Sequence, residues 1–237
     1  MVEIIRYLGA AVLVAALSLI AFQILRRWRQ ASSKVGVPTP GGQLLYSLPT
    51  ICDPYPPLAE TPHQPAQAET VVHEDGWRQI EFVCEENREY IEQQFVEHRR
   101  FRAEKRQGGF YTAIIVRPEH PVPFSRLGAS QAALREALDI SSWQRLSIDW
   151  LGGATEVGGG FAASLGHGVI LYGHGIDNVV QQLGLLVPAH DPSISCPETV
   201  KRVAGFVKAD LVDWHNLARI ASSDTAGFSK WWDTHAS

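Results

Sequence analysis

The chain has 237 residues, of which 45% are hydrophobic and 19% are charged, and its formal net charge is −4. This is the composition of a folded protein, because Gly and Pro are too few for a wholly disordered chain. The mild negative charge argues against a nucleic-acid-binding protein, which needs a basic surface. We therefore expect no nucleic acid among the partners, and the length allows one domain with additional segments.

The N-terminal segment is strongly apolar. Residues 7–25 read YLGAAVLVAALSLIAFQIL and contain no charged residue. As an α-helix this segment would span roughly 29 Å, close to the ~30 Å hydrocarbon core of a bilayer. The sequence therefore predicts a membrane anchor over residues 1–30, with a transmembrane helix over about residues 5–26 and the lipid bilayer as a partner. A buried helix of a soluble protein is the alternative.

A basic and aromatic cluster follows the apolar segment and consists of Arg26, Arg27, Trp28 and Arg29. Such residues favour the headgroup region, so these four are the predicted membrane-interface residues. A cleaved signal peptide would need a positive N-terminal region and a small-residue cleavage site. Glu3 and Arg6 cancel in the first region, and the apolar segment ends in Arg-rich sequence. The pattern favours an uncleaved signal anchor.

The distribution of basic residues predicts the orientation of the anchor. They are more numerous after the apolar segment than before it, where Arg6 stands alone. The positive-inside rule then predicts a single-pass protein of the cell (inner) membrane with its C-terminal domain in the cytoplasm. Cys52, Cys84 and Cys196 are widely spaced, which predicts neither a disulfide framework nor a zinc ribbon. A periplasmic C-terminal domain is the alternative.

The sequence predicts an extended linker over residues 31–70, because more than half of the 14 prolines fall there. Pro-rich chain lacks the donors and the apolar periodicity of a packed element. One apolar island, LLYSLPTI at residues 44–51, interrupts the linker. Two interpretations stay open for this island: a segment that lies on the globular domain, or a docking motif for a partner.

Residues 71–222 are predicted to form the globular domain. Its first predicted elements are a strand over 77–83, a helix over 85–105 terminated by Gly108 and Gly109, a central strand over 110–116 and a loop over 117–123. The next are a helix over 131–138 capped by Ser130, a strand over 144–151 and short strands around 160–164 and 169–172. Residues 178–187 suit either a strand or a helix, and Gly184 with the LLV that follows it favours the strand.

An apolar stripe at residues 200–218 predicts one helix, or two helices broken near Asp210, opened by residues 195–197. The order of elements predicts an α+β fold, with a two-layer domain in which helices cover one face of a mixed, largely antiparallel sheet. Residues 223–237 form a C-terminal tail. Its aromatic residues either pack onto the domain or touch the membrane interface.

The charge run HRRFRAEKR at residues 98–106 admits two interpretations. It contacts anionic lipid headgroups, or it is a solvated helix end whose cations favour the negative C-terminus of the helix dipole. Catalytic motifs are missing from the sequence, which has no GxxxxGK[ST], GxSxG or HExxH pattern. The sequence therefore predicts no cofactor and no metal site, and it leans against an enzyme.

Two Gly-His-Gly triplets stand seven residues apart in GHGVILYGHG, residues 166–175. The central VILY predicts a buried strand with a glycine-hinged turn at each end. Residues seven apart in a strand point to opposite faces and lie roughly 23 Å apart. A shared metal needs both nitrogens about 2 Å from one ion. One site holding both histidines is therefore excluded, unless the chain folds sharply at Gly173.

Three functional hypotheses follow. The first is a membrane-anchored accessory or interaction protein, which presents a cytoplasmic α+β domain to a protein partner or membrane complex. The second is a membrane-tethered hydrolase with His174 and Asp177 as an acid/base pair, because their spacing across a Gly turn would let the carboxylate orient the imidazole. The third is an immunity or chaperone-like partner of a secreted effector.

Overall fold

The structure is a computed structural model, and it describes residues 37–38, 44–60, 69–150, 153–188 and 198–235. The predicted transmembrane helix and the interface cluster at residues 26–29 lie outside these ranges. Within them, no helix combines the length and the apolar character that a bilayer crossing requires.

The described residues form fifteen strands and four α-helices. In chain order, the strands are β1 (Val37–Pro38), β2 (Leu44–Leu45), β3 (Thr50–Cys52), β4 (Glu69–His73), β5 (Ile80–Cys84), β6 (Arg106–Gln107), β7 (Phe110–Tyr111), β8 (Ile115–Arg117), β9 (Arg145–Trp150), β10 (Gly153–Glu156), β11 (Gly160–Gly166), β12 (Val169–Ile176), β13 (Val179–Leu186), β14 (Ala209–Asp213) and β15 (Ala218–Ile220). The helices are α1 (Arg88–Lys105), α2 (Gln131–Ala137), α3 (Glu198–Val207) and α4 (Thr225–His235).

A six-stranded antiparallel sheet is the centre of the fold, with the order β11-β12-β13-β5-β14-β15. A second sheet has the order β10-β9-β4, in which β9 pairs antiparallel with β10 and parallel with β4. Strands β3 and β8 form a separate parallel pair. The prediction of an α+β fold with mixed, largely antiparallel sheets is confirmed.

The central sheet is covered on both faces. Helices α2, α3 and α4 share one apolar cluster with alternate residues of β5 and β14, such as Phe82 and Leu211. The opposite residues of the same strands, Val83 and Val212, pack with Ile91 of α1. Because β5 and β14 are buried along their whole length, cover is needed on both faces. The prediction of helices on one face is therefore incomplete, since α1 lies on the other.

Several predicted elements match the structure. The apolar stripe of α1 is buried at Ile91, Phe95 and His98, and the side chain of Ser130 caps α2 by accepting from the Ala133 amide. Strand β9 agrees with its prediction within a residue at each end, and β13 lies inside the predicted range. In segments of this kind the spacing of apolar residues along the local sequence is enough to predict the element.

Other predicted elements are wrong. Residues 110–116 form no central strand but the short strands β7 and β8, and Gly108 and Gly109 form the turn between β6 and β7. Both glycines have positive φ (57° and 92°), as a two-residue hairpin turn requires. The apolar stripe at residues 200–218 forms neither one helix nor two: α3 ends at Val207, Lys208 takes a φ of 53°, and β14 begins at Ala209.

Two segments outside the predicted domain lie on it. The apolar island contributes β3, which pairs with β8 and buries Cys52, and Tyr46 exchanges backbone hydrogen bonds of 2.8 and 2.9 Å with Tyr111. The C-terminal residues form α4, whose Trp231 and Trp232 are buried in the main apolar cluster. Helix α4 therefore packs on the central sheet through these aromatic side chains.

Leu171→Ala tests the packing of the central sheet. Leu171 is fully buried in β12, so we expect the free energy of unfolding to fall by about 2–5 kcal/mol through lost transfer energy and a cavity. Ile176→Ala in the same strand is the matched control, because Ile176 is 55% exposed. Urea unfolding of the full chain in a mild detergent measures both, and equal losses would contradict the described packing.

Candidate functional site

The predicted acid/base pair is not brought together. His174 lies within β12 and is buried, whereas Asp177 is exposed in the two-residue turn that joins β12 to β13. Nδ1 of His174 has no hydrogen-bond partner in the described structure, so Asp177 does not orient the imidazole through this atom. Burial, with a smaller contribution from the Arg78 guanidinium, lowers the pKa of His174 to about 4. The imidazole is therefore neutral at pH 7.

The two Gly-His-Gly triplets have different structures. The first forms the turn between β11 and β12, where Gly166, His167 and Gly168 all have positive φ. The second continues β12 to Ile176, so the predicted turn at this end lies two residues further on. His167 is exposed and His174 is buried, and the strand is extended between them. A shared site for both histidines is excluded by this geometry.

A buried ionic network is the most unusual polar feature of the described residues. Its centre is the carboxylate of Glu81, the second residue of β5, which is 2% exposed. Oε2 accepts from Nε of Arg78 at 2.6 Å. Oε1 accepts from Nη1 of Arg117 at 3.2 Å and from Nε1 of Trp214 at 2.7 Å, and it lies 3.0 Å from Nε2 of His120. Four donors thus surround one carboxylate, which we call the Glu81 network.

The local chain around Arg78 positions its guanidinium. Arg78 adopts a φ of 55°, which delays the start of β5 to Ile80. Its amide donates to the hydroxyl of Tyr172 at 2.7 Å, which holds this unusual conformation. The Tyr172 ring lies over Gly184, where a Cβ would come within 2.6 Å of the ring. Gly184 therefore makes room for the group that positions Arg78.

Arg117 connects the network to the apolar island. Its Nε donates to Oγ1 of Thr50 in β3 at 3.1 Å, and its Nη2 donates to the Arg78 carbonyl at 2.8 Å. The guanidinium carbon also lies 4.4 Å from the centre of the Trp214 ring, a cation–π contact. The residues that Arg117 contacts are all buried themselves: Thr50, Arg78, Glu81 and Trp214.

A side-chain cap positions Trp214 at the end of β14. Oδ1 of Asp213 accepts from the amides of His215 and Asn216 at 2.9 and 3.0 Å, which folds the turn into β15. Arg102 of α1 donates to the carbonyl of Trp214 at 2.6 Å. The indole is therefore fixed from the strand on one side and from α1 on the other.

His120 lies in the loop over residues 117–123 and supplies one of the four donors of the Glu81 network. A histidine between prolines suggests a solvated side chain, but the side chain of His120 is only 9% exposed. Asn87 holds the loop in place, since its side chain exchanges hydrogen bonds of 2.8 and 2.9 Å with the backbone of Val122. Because an ionised carboxylate only accepts, Nε2 of His120 carries the donated proton to Glu81.

Electrostatics favour an ionised Glu81. Burial alone would raise the pKa of this carboxyl group, but the charges of Arg78 and Arg117 and the hydrogen bond from His120 outweigh burial and hold the pKa well below its usual range. Three of the four donors lie at Oε1 and one lies at Oε2, so the acceptor positions of the two oxygens are used unequally. Two buried guanidinium groups pair with this carboxylate and keep it ionised inside the fold.

The cavity beside the network is small. It is lined in part by Glu81, His120 and Gln182, and its volume is about 10 Å³. This is room for about one water molecule. In the described structure Nδ1 of His120 and Oε1 of Gln182 are buried without a hydrogen-bond partner. The site is too small for a substrate.

Nucleophilic and metal chemistry receive no support from the described side chains. Burial is the main cause that raises the pKa of the Cys52 and Cys84 thiols to about 11, so both stay protonated at pH 7, whereas a reactive cysteine needs the thiolate. Cys196 lies outside the described residues. Within those residues, no three His, Cys, Asp or Glu side chains are grouped to hold a metal ion.

Sequence reasoning missed the Glu81 network. Its one signal was a charged residue within the otherwise apolar strand IEFVC. The donors could not be identified from spacing, because Trp214 is 133 residues from Glu81 in the chain.

No family model matches this chain, and comparisons with curated proteins and with solved structures likewise find no match.

Glu81→Gln tests the role of the network. The change leaves Arg78 and Arg117 buried without their counter-ion, so we expect the free energy of unfolding to fall by about 3–5 kcal/mol. Glu119→Gln is the matched control, because this side chain is 46% exposed although it also binds Arg78. We expect that control to lose less than about 1 kcal/mol. If both variants unfold at the same urea concentration, Glu81 does not hold the structure together.

The pH dependence of stability tests the buried histidines. Burial, with the charges of Arg117 and Arg102, lowers the pKa of His98 to about 4, and neither ring nitrogen has a partner in the described structure. Unfolded histidine binds a proton near pH 6.5. The folded state of His98 and His174 therefore binds fewer protons between pH 6.5 and 4, so stability is full above this window and falls as the pH falls through it.

The variant His98→Leu checks this sign. Between pH 7 and pH 5 the contribution of one such histidine falls by roughly 2 kcal/mol, so we expect the variant to lose less stability than the unmodified chain by about that amount. His167→Gln is the control, because His167 is exposed in its turn. Urea unfolding midpoints at pH 7 and pH 5 measure this difference. A variant that loses as much stability as the unmodified chain would refute the lowered pKa of His98.

Proposed function

We propose that this chain is a single-pass, membrane-anchored accessory protein whose α+β domain binds a protein partner on the cytoplasmic side of the membrane. The apolar segment at residues 7–25 supports the anchor, and the basic residues that follow it support the orientation. A Pro-rich tether raises the effective concentration of the domain near a membrane complex.

The observation that carries the proposal is a surface groove between β15 and α4. Its volume is about 420 Å³, and its lining includes Ala218 and Ile220 of β15 and Gly227, Lys230 and Trp231 of α4. Among the described strands β15 is the last of the central sheet, so one of its sides pairs with no further strand. We call this feature the β15–α4 groove.

The β15–α4 groove suits an extended peptide segment of a partner. A strand at the edge of a sheet accepts another strand through backbone hydrogen bonds, and side-chain pockets next to it supply specificity. Here Ile220 and Trp231 supply an apolar floor, and each is 4% exposed. The exposed Lys230 at the groove adds a positive charge. The partner we propose therefore inserts an extended segment with apolar side chains.

The interior of the domain fits an interaction protein better than an enzyme. The ionised groups of the Glu81 network bind each other, and its cavity has room for about one water molecule. No specific contact favours the hydrolase hypothesis, since His174 is buried and Asp177 is exposed. The polar residues of the interior thus stabilise the domain that presents the groove.

Site-specific crosslinking in cells tests the partner site. A photo-crosslinking residue at position 230 of the full chain should give one discrete protein adduct, whereas the same residue at the exposed position 135 on α2 should not. Ala218→Arg should abolish the adduct by filling the groove, and the matched change Ala133→Arg on exposed α2 should leave it unchanged. Equal labelling at positions 230 and 135 would refute the groove as the partner site.

Further experiments test the membrane anchor, its orientation and the proposed accessory role. We expect the full chain to resist extraction by alkaline carbonate, and a reporter that is active only in the periplasm should be inactive when fused after Ser237. An active periplasmic reporter would overturn the cytoplasmic orientation. Turnover of a small molecule by the purified full chain without a partner would overturn the accessory role.

A further inference from the structure

One end of the domain combines exposed cations with an exposed aromatic side chain. Arg99, Arg100 and Lys105 lie on the last turns of α1, and Arg106 lies on β6, all exposed. Phe110, at the start of β7, is 38% exposed. We call these five residues the basic end.

The charge of the basic end is local and only partly neutralised. Arg100 lies 3.9 Å from Glu104, and both side chains are exposed. Arg99, Lys105 and Arg106 form no ion pair within 4 Å in the described structure. The whole chain, by contrast, has a net charge of −4. An excess of cations is therefore concentrated at this end of a mildly acidic protein.

The helix dipole explains only part of this pattern. Cations in the last turn of α1 are favoured by the negative end of the dipole, which accounts for Lys105. It does not account for Arg106, which is in a strand, or for Phe110 across the hairpin from Gln107. A basic and aromatic surface on two different elements points to an external ligand with negative charge and an apolar boundary.

The chain reaches the domain at this same end. Tyr46 pairs with Tyr111, the neighbour of Phe110, through two backbone hydrogen bonds. Strand β1 in turn pairs with β2, just before Tyr46. From residue 26, where the predicted span ends, to Val37 the chain has 11 residues, which reach at most about 39 Å. The tether therefore holds the end of the domain at which it arrives within about 39 Å of the bilayer, which allows the basic end to reach the surface.

We propose that the basic end binds the anionic surface of the bilayer in which the chain is anchored. This inference rests on the proposed anchor. Arg99, Lys105 and Arg106 contact lipid phosphate and carboxylate groups, and Phe110 enters the interface, where aromatic rings are favoured. The ligand is thus a lipid surface with net negative charge, and the consequence is a domain held in one orientation on the membrane.

Fluorescence quenching on the full chain tests the inference. A polarity-sensitive probe is attached at Gln107→Cys in a Cys196→Ser background, where Cys52 and Cys84 are buried. The chain is reconstituted into vesicles of phosphatidylcholine alone or with 30% phosphatidylserine, containing headgroup spin-labelled lipid. We expect at least threefold stronger quenching in the anionic vesicles, and we expect 0.5 M salt to remove the difference.

Charge variants distinguish binding by the basic end from a general attraction of the domain to an anionic surface. The triple variant R99Q/K105Q/R106Q should lose the extra quenching, because three cations near an anionic surface are worth on the order of 100-fold in its binding. The variant R126Q/R135Q/K208Q removes the same charge from exposed positions elsewhere and should keep it. Equal quenching in both vesicle types, or loss in both variants, would overturn the inference.

Vesicle flotation distinguishes this inference from the anchor itself. A chain that floats with both vesicle types but shows equal quenching has an anchor without a docked basic end. A chain that floats only with anionic vesicles, and only at low salt, has the basic end without the anchor. A chain that floats with neither refutes both proposals.

Discussion

The burial of the Glu81 carboxylate is the constraint on which much of this fold depends. A buried carboxylate is stable only when it is hydrogen-bonded and paired with positive charge. Here the donors come from the turn before β5, the end of β8, the loop that follows it and the turn after β14. These segments are distant in sequence, so one charge fixes the relative positions of four parts of the chain.

The network also separates two apolar regions on one face of the central sheet. On one side, Trp77 and Tyr172 pack with the residues of the three-stranded sheet. On the other, Val83 and Val212 pack with α1. The ionised carboxylate favours the arrangement that places the guanidinium groups of Arg78 and Arg117 next to it, because separating a buried charge from its partners is costly. The network thus specifies how the two coverings meet, and it leaves the opposite face to α2, α3 and α4.

Local sequence predicted the elements whose pattern is periodic, such as the buried stripe of α1 and the Ser130 cap of α2. It failed at residues 209–213, because apolar residues at helical spacing also suit a strand buried on both faces. The network lay beyond sequence reasoning for another reason. Its geometry depends on a positive φ at Arg78 and on contacts of Glu81 with residues far along the chain.

The two recognition surfaces that we propose, the β15–α4 groove and the basic end, are surface features separate from the buried Glu81 network. The central claim is that Glu81 stays ionised inside the folded protein. A titration of the carboxyl carbon resonances of ¹³C-labelled glutamate, with Glu81 assigned by its loss in Glu81→Gln, measures this directly. We predict that the Glu81 resonance keeps its ionised shift from pH 7 down to pH 4. A midpoint at or above 4.5, the value of an unperturbed carboxyl group, would contradict the claim.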